Sequence, residues 1–175
     1  MKVSNHTIRL LQAHDESAFD EVYQKYFKLL KHVVLSLIPS DSIADDIVQE
    51  AFFKMYLNID DYTYNVSFSS YLVTIARNIA LNRIKDSKRF AKDYDMDAVA
   101  DNNDIEEKAY QSVLLDKIRA LLEEDDYEIF VMRAYFELPF NEIAEIFKTT
   151  VSSVTNKYHR AVKKINKEIK LWTRN

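Results

Sequence analysis

Few side chains in this sequence have the types and spacing needed for catalysis or metal binding. The chain has four histidines, His6, His14, His32 and His159. None has the H-E-x-x-H spacing of a zinc site. Three carboxylates, Asp45, Asp46 and Glu50, lie close together on a predicted helix, which could suit a metal or acid–base site. Because no histidine accompanies them, we predict no catalytic residue, no metal site and no cofactor.

Two residue types are absent, and their absence excludes further classes of chemistry. Without cysteine, the chain has no disulfide, no thiol nucleophile and no cysteine zinc site. Without glycine, a phosphate-binding loop or dinucleotide fingerprint cannot occur in its usual form, because both need a close backbone approach. We therefore expect neither an enzyme nor a small-molecule substrate.

The amino terminus shows no pattern of a secretory signal, and no apolar run approaches the roughly 20 residues that span a bilayer. The absence of cysteine also fits a reducing compartment. We expect a cytoplasmic protein with no direct membrane insertion.

Composition indicates an all-α fold. Hydrophobic residues make up 47% of the 175 residues and aromatic residues 13%, which is enough for packed cores. The lack of glycine, with only two prolines, removes the turn signals of sandwiches, barrels and α/β sheets. The length permits two small helical domains.

Apolar periodicity predicts helices in two blocks. In the first block the predicted helices span residues 15–38, 42–57 and 68–89, and the polar, aromatic stretch NIDDYTYNVS forms a loop before the third. In the second block they span residues 113–122, 127–136, 141–147 and 151–171. The segment 93–107 between the blocks has seven acidic and no basic residues, which is typical of a solvated linker. We predict domains at 1–92 and 109–175, joined by an acidic linker at 93–108.

The last predicted helix is strongly basic in a chain whose formal net charge is −4. From Lys148 to Arg174 there are eight basic residues and one acidic residue. Its inward stripe consists of Val154, Tyr158, Ala161 and Ile165. Only the short connection KTT separates it from the preceding helix, which predicts a helix-turn-helix whose second helix can enter a DNA major groove. A solvated basic helix that closes a bundle is the alternative.

The second block resembles region four of extracytoplasmic-function (ECF) sigma factors, through the stretch EIFVMRAYFELPFNEIAEIFKTTVSSVTNKYHRAVKKI. In that family the final helix reads the minus-thirty-five promoter element. The resemblance implies DNA contacts by Ser153, Thr155, Asn156, Lys157, His159 and Arg160, and Lys163 and Lys164 add charge for phosphates. Lys148 and Ser152 stand where the family usually has glycine, so we expect this turn to be either strained in a left-handed conformation or differently shaped. Thr155 replaces a commonly basic residue, and Pro139 replaces a capping serine.

The first block resembles sigma region two in two stretches. The first, ADDIVQEAFFKMY, is similar to the helix that binds RNA polymerase. The residues expected to face polymerase are Asp45, Asp46, Gln49, Glu50, Phe52, Phe53 and Tyr56. Exposed phenylalanines beside acids suit a partner surface, although we expect one of Phe52 and Phe53 to pack inside.

The second stretch, SFSSYLVTIARNIALNRIKDSKR, is similar to the promoter-melting segment. The residues expected to contact DNA on its helix are Arg77, Asn78, Arg83, Lys85, Lys88 and Arg89. By resemblance, Tyr62, Tyr64 and Asn65 in the preceding loop hold a flipped base of the minus-ten element, since aromatics beside cations bind unstacked bases. Basic residues at a helix end also complement the helix dipole, and one of Phe68 and Tyr71 is expected in the core.

The resemblance implies a transcription initiation factor whose partners are core RNA polymerase, promoter DNA and an anti-sigma factor. A stand-alone helix-turn-helix regulator is a second hypothesis, and a degenerate paralogue that binds polymerase without initiating transcription is a third. Because the net charge is negative, we expect the free chain to bind DNA weakly and to need polymerase for promoter recognition.

Overall fold

A computed structural model describes the backbone of residues 3–91 and 117–172, and the side chains of residues 3–87 and 117–170. It divides into two compact units, Met1–Ala100 and Asp101–Asn175. The described residues are helical with short connections and include no strand, which confirms the all-α prediction. The predicted linker at 93–108 and the first part of the helix predicted at 113–122 lie outside the described residues.

The first unit contains four α-helices among its described residues: α1 (Asn5–Gln12), α2 (Glu16–Leu37), α3 (Asp41–Leu57) and α4 (Phe68–Ala91), with a short 3₁₀ turn at Ile59–Asp61. The periodicity of α2, α3 and α4 predicted their positions to within a few residues. These three helices pack against one another. The largest fully buried side chains of this core include Tyr26, Leu29, Leu30, Ile47, Met55 and Leu72.

Helix α1 was not predicted from the sequence. Ser4 caps its first turn by accepting a hydrogen bond from the Thr7 backbone N–H at 3.0 Å. Its carboxyl end is tied to the loop that precedes α4, because Gln12 Nε2 donates to the carbonyl oxygens of Ile59, at 3.2 Å, and Tyr62, at 3.1 Å. This short helix therefore helps to fix the position of the predicted base-binding loop.

The second unit contains a helical stretch at 117–121, followed by α5 (Glu124–Ala134), α6 (Phe140–Ile146) and α7 (Val151–Trp172). Both α5 and α6 pack on α7. The core includes Ile129, Met132, Leu138, Ile143, Val154, Ala161 and Ile165. Helices α6 and α7, joined by residues 147–150, form the predicted helix-turn-helix.

Among the described residues of this glycine-free chain, three adopt a left-handed backbone: His14, Glu137 and Lys148, with φ of 56°, 57° and 49°. The Lys148 turn closes α6 with two hydrogen bonds, from Lys148 N–H to the Glu145 carbonyl and from Thr149 N–H to the Ala144 carbonyl, as in a Schellman motif. Each such residue with a Cβ costs about 1 kcal/mol. The strained turn expected at Lys148 is confirmed.

Candidate polymerase and nucleic-acid interfaces

The outward face of α3 carries an exposed ridge of mixed character. Asp46, Gln49 and Phe53 follow at helical spacing and are all exposed, Phe53 to 61%. Leu57, one turn further along, extends the same ridge and is also exposed. Leu57 was not predicted from the sequence, although its i+4 spacing from Phe53 could have revealed it. Exposed large apolar side chains at such spacing are typical of a partner surface.

Next to this ridge, an open groove of about 430 Å³ runs between α2 and α3. Its lining consists of Glu16, Phe19, Asp20, Tyr23, Gln49, Phe52, Phe53 and Tyr56. Phe52 is only 2% exposed, and its ring centroid lies 4.7 Å from that of Tyr23, so Phe52 forms the floor of the groove. Phe52 is thus the phenylalanine that packs inside, and the prediction that it faces polymerase needs this correction. The four residues that α2 contributes were not predicted, because the apolar residues of this helix, Phe19 and Tyr23 among them, were used only as evidence of helical periodicity.

Two of the predicted polymerase-facing carboxylates are held within the unit. Lys31 Nζ lies 2.8 Å from Asp45 and 2.9 Å from Asp41, and it joins α2 to α3. Burial lowers the pKa of Lys31, but the hydrogen bonds and negative charges of the two carboxylates outweigh that effect and raise the pKa above its usual value. On the other side of α3, Glu50 contacts Lys54 at 2.8 Å and Arg83 of α4 at 3.3 Å.

The loop before α4 contains one buried tyrosine and one exposed tyrosine. Tyr62 is 6% exposed, donates from its hydroxyl to the Val66 carbonyl at 2.8 Å, and packs on Phe68 and Tyr71. Tyr62 therefore supports the loop and cannot offer a ring face to a base, which corrects its predicted role. Tyr64 is 49% exposed, with its ring centroid 5.4 Å from that of Tyr62. The exposed Asn65 follows it.

One of Phe68 and Tyr71 lies in the core, as predicted. Phe68 is buried, and Tyr71 is partly exposed at the loop edge. Burial, with a smaller effect of the Asp61 charge, raises the pKa of the Tyr71 hydroxyl above its usual value. The Tyr71 hydroxyl therefore stays protonated to a higher pH than that of an ordinary exposed tyrosine.

Helix α4 presents part of the predicted DNA-contacting set on its surface. Asn78, Arg83 and Lys85 are exposed, and Arg77 is partly exposed. Arg83 points toward Glu50 on α3, whereas Asn78 and Lys85 share another face at a spacing of seven residues. Lys88 and Arg89 lie on the last turns of α4, and their side chains are outside the described residues.

The solvent face of α7 follows from the helical period. The Thr150 hydroxyl caps the helix by accepting from the Ser153 N–H at 3.2 Å. Four exposed residues then share the face opposite the buried stripe: Ser152, Asn156, His159 and Lys163. Ser153, Thr155 and Lys164 lie partly exposed beside this face. The Thr155 hydroxyl donates to the Val151 carbonyl at 2.8 Å, which occupies its one hydrogen.

Two predicted DNA-contacting cations of α7 are ion-paired with α5. Lys157 Nζ lies 2.5 Å from Asp125 Oδ2. The Nε and Nη2 groups of Arg160 each donate to Asp126 at 2.7 Å. Hydrogen bonding to Asp126, together with its negative charge, raises the pKa of Arg160 further above its usual value. These pairs attach α7 to the start of α5.

The connection into the helix-turn-helix is held from α5. Pro139 stands at the N-cap of α6 and supplies no side-chain hydrogen bond, as its type predicts. Arg133 does not replace this missing acceptor, but it contacts both sides of Pro139: its Nη1 donates to the Leu138 carbonyl at 3.2 Å, and its guanidinium lies 4.8 Å from the centre of the Phe140 ring. Helix α6 is thus positioned by packing and by a neighbouring cation.

Comparison with known proteins matches both units to one family. Residues 22–90 match the model described as Sigma-70 region 2, and residues 113–165 match the one described as Sigma-70, region 4. Over 93% of its length, the chain is 28% identical to 95% of the ECF RNA polymerase sigma factor SigW of Bacillus subtilis (strain 168). With the same coverage of this chain, it is 26% identical to 92% of the ECF RNA polymerase sigma-E factor of Escherichia coli (strain K12).

The chain belongs to the ECF sigma factor family. It is a factor that directs RNA polymerase to promoters, and a stand-alone regulator is not favoured. Two solved ECF-type structures have the same fold, each at a TM-score of 0.69 and 18% identity. One is the sigma factor RpoE in complex with the anti-sigma factor NepR from Bartonella quintana, with 87% of this chain and 96% of that one covered. The other is CnrH in complex with the cytosolic domain of CnrY, with coverages of 94% and 96%.

Within 3–91 and 117–172, no helix is long and apolar enough to cross a bilayer. The same part of the ECF sigma factor has no group of three or more side chains that could hold a metal ion.

Proposed function

We propose that this ECF sigma factor binds core RNA polymerase through α3 and the α2–α3 groove, melts the minus-ten element with α4 and its preceding loop, and reads the minus-thirty-five element with α7. The domains doing so are residues 1–92 and 109–175, joined by the acidic linker at 93–108. Such a factor supplies binding and no catalysis of its own. Since its partner is core RNA polymerase, it acts in the cytoplasm.

The α3 ridge and the adjoining groove support the polymerase contact. An exposed Phe53 beside a groove lined by Phe19 and Tyr56 leaves aromatic surface in water, and covering one such side chain is worth about 1.5–3 kcal/mol. Glu16, Asp20 and Asp46 surround this surface with negative charge. Its partner is therefore expected to be a basic, apolar helical surface of the polymerase.

The Tyr64–Asn65 pair supports the minus-ten assignment. Tyr64 offers an exposed ring, and the buried Tyr62 holds it in place by edge-to-face packing. Asn65 adds an amide that can hydrogen-bond a base edge. Stacking on one aromatic ring is worth about 1–3 kcal/mol per base. Exposed cations on α4 would neutralise the phosphates of the opened strand.

The exposed row on α7 supports the minus-thirty-five assignment. Ser152 and Asn156 near the start of the helix are short polar side chains that suit base edges. Lys163, two turns further along, suits a phosphate. The Thr150 cap and the Lys148 turn set the angle at which this row leaves α6.

An anti-sigma factor is the proposed regulatory partner. The two structures that share this fold were solved with an anti-sigma factor or with the cytosolic domain of a partner protein. The aromatic groove of this chain would be available to such an inhibitor, which would compete with polymerase for the same surface.

Reconstitution tests the proposed function. The chain is combined with core RNA polymerase and supplied with a library of DNA templates randomised upstream of a reporter transcript. We expect transcripts from templates that share two separated sequence elements. Tight, sequence-specific DNA binding by the chain without core polymerase would contradict the proposal and restore the stand-alone regulator. Core binding without any transcript would identify the degenerate paralogue.

A further inference from the structure

Two neighbouring acids at the start of α5 each hold one cation of the recognition helix, but in different surroundings. The Asp126 side chain is 1% exposed, and both its oxygens accept from Arg160 at 2.7 Å. The Asp125 side chain is 47% exposed and pairs with Lys157 through one oxygen. The first pair is forked and has a buried acceptor, whereas the second is a single contact at the surface.

These differences decide which cation a DNA phosphate can take. Leaving Asp126 would abandon two charge-assisted hydrogen bonds and leave a buried carboxylate uncompensated. The Lys157–Asp125 pair is partly open to water, since the Lys157 side chain is 28% exposed and the Asp125 side chain 47%, and pairs that salt can screen are worth little. A phosphate oxygen can replace Asp125 as the partner of Lys157 with little loss.

The geometry also gives Arg160 a mechanical role. Lys157 and Arg160 lie on the flank of α7 that faces α5, between the buried stripe and the exposed row. A forked contact from this flank to a fixed carboxylate restrains rotation of α7 about its axis. It thereby sets the direction in which Asn156 and His159 point.

We propose that Arg160 is a positioning residue that stays on Asp126 when α7 is on DNA, and that Lys157 exchanges Asp125 for a promoter phosphate. The resemblance had placed both cations on DNA. This inference rests on the proposed reading of the minus-thirty-five element by α7.

Two charge-neutral double variants test it in reconstituted holoenzyme: D125N/K157Q and D126N/R160Q. Neither changes the net charge, so long-range attraction to DNA is matched. The probe is a 40-base-pair duplex selected from a random library by the wild-type holoenzyme, and its affinity is measured against salt concentration. We expect D125N/K157Q to bind about 5–10-fold more weakly, with a salt slope smaller by about 0.9. D126N/R160Q is expected to keep the wild-type slope while melting at a lower temperature.

A second measurement needs no disturbance of the buried pair. The single variant D125N frees Lys157, so we expect about threefold tighter binding of the duplex, abolished when K157Q is added. E124Q is the matched control, because Glu124 lies one residue earlier in the same exposed turn of α5. It removes the same charge and is expected to change the affinity by less than about 1.5-fold.

The possible outcomes distinguish a failure of this inference from a failure of the proposed function. Equal losses of slope in both double variants, with circular dichroism showing both folded, would place Arg160 on DNA and overturn the inference. Equal gains for D125N and E124Q would overturn the exchange at Lys157. If the wild-type holoenzyme selects no upstream element at all, the proposed function itself fails and this inference falls with it.

Discussion

Glu50 of α3 and Arg83 of α4 form an ion pair at 3.3 Å that joins a carboxylate on the proposed polymerase side to a guanidinium on the proposed DNA side. Both side chains are partly open to solvent, so the pair contributes less than about 1 kcal/mol to folding. The pair lies where the proposed polymerase surface and the proposed DNA surface adjoin, so each of its residues can be changed to test one of the two surfaces.

The roles of this pair can be separated by mutation. We expect Glu50→Gln to weaken binding to core polymerase several-fold, and Arg83→Gln to leave that affinity unchanged but slow promoter opening. The measurements are fluorescence anisotropy with core enzyme and permanganate detection of unpaired thymines. Lys54→Gln, which removes the other partner of Glu50, is the control, and an equal loss of core affinity there would assign the effect to α3 folding.

Alanine substitutions of two adjacent phenylalanines are predicted to have different effects, one on polymerase binding and the other on stability. Phe53→Ala should leave the melting temperature nearly unchanged and reduce core binding about tenfold, because an exposed anchor is lost. Phe52→Ala removes the groove floor and should lower the free energy of unfolding by about 3–5 kcal/mol. Ile169→Ala, an exposed apolar change on α7 in the other unit, should affect neither quantity. A Phe53 variant with wild-type core affinity would remove the ridge from the interface.

Tyr64 is predicted to act in promoter opening alone. Tyr64→Ala should slow open-complex formation about tenfold, since one stacking platform is lost, while binding to core polymerase is retained. Tyr64→Phe keeps the ring and is expected to behave as wild type. Opening is followed with 2-aminopurine in the minus-ten region of a selected promoter. Equal defects in both variants would indicate a role for the hydroxyl instead.

The left-handed Lys148 gives a stability prediction with a clear sign. Lys148→Gly removes the Cβ clash, and part of the gain is offset by the greater freedom of glycine in the unfolded chain, so we expect stabilisation by about 0.5–1 kcal/mol. Lys148→Ala removes the same charge but keeps the Cβ, and should give no such gain. Urea unfolding measures both. A gain in the alanine variant would point to charge and not to backbone strain.

Asp15 is predicted to give α2 a pH-dependent cap. Hydrogen bonds from the Ser17 hydroxyl and then from the Ala18 N–H lower the pKa of Asp15 below its usual 3.8. A depressed carboxyl pKa contributes stability that is fully present above the unfolded value and is lost as the pH falls through the folded value. Asp15→Asn should therefore differ most from wild type above the unfolded pKa of Asp15 and converge with it as the pH falls through the lower folded pKa. Chemical unfolding between pH 3 and 6 measures this; a constant difference would exclude the titration of Asp15.

The main helices could be predicted because their apolar residues recur at helical spacing over several turns. Helix α1 was too short for that signal: Ile8 and Leu11 alone are its buried apolar residues among polar neighbours. It was harder to predict which individual aromatic side chains are buried and which face the solvent. Phe52 and Phe53 are adjacent and identical, and only the position of α2 decides that Phe52 lies inside.

The pairing of cations with acids was beyond the sequence because it depends on distant segments. Lys157 and Asp125 are 32 residues apart, and Arg160 and Asp126 are 34 apart. Local periodicity placed the cations off the core stripe but carried no information on their partners. By contrast, strain at the Lys148 turn could be expected, because Lys148 stands where the resembled family usually has glycine, and the left-handed backbone is found there.

The aromatic groove between α2 and α3 also affects how a cell can keep this protein in reserve. An apolar cleft left open to water promotes association between copies, so solubility should fall as the unbound chain accumulates. A protein that fills the cleft would then act as a chaperone as well as an inhibitor. The same contact would keep the protein soluble and keep it inactive.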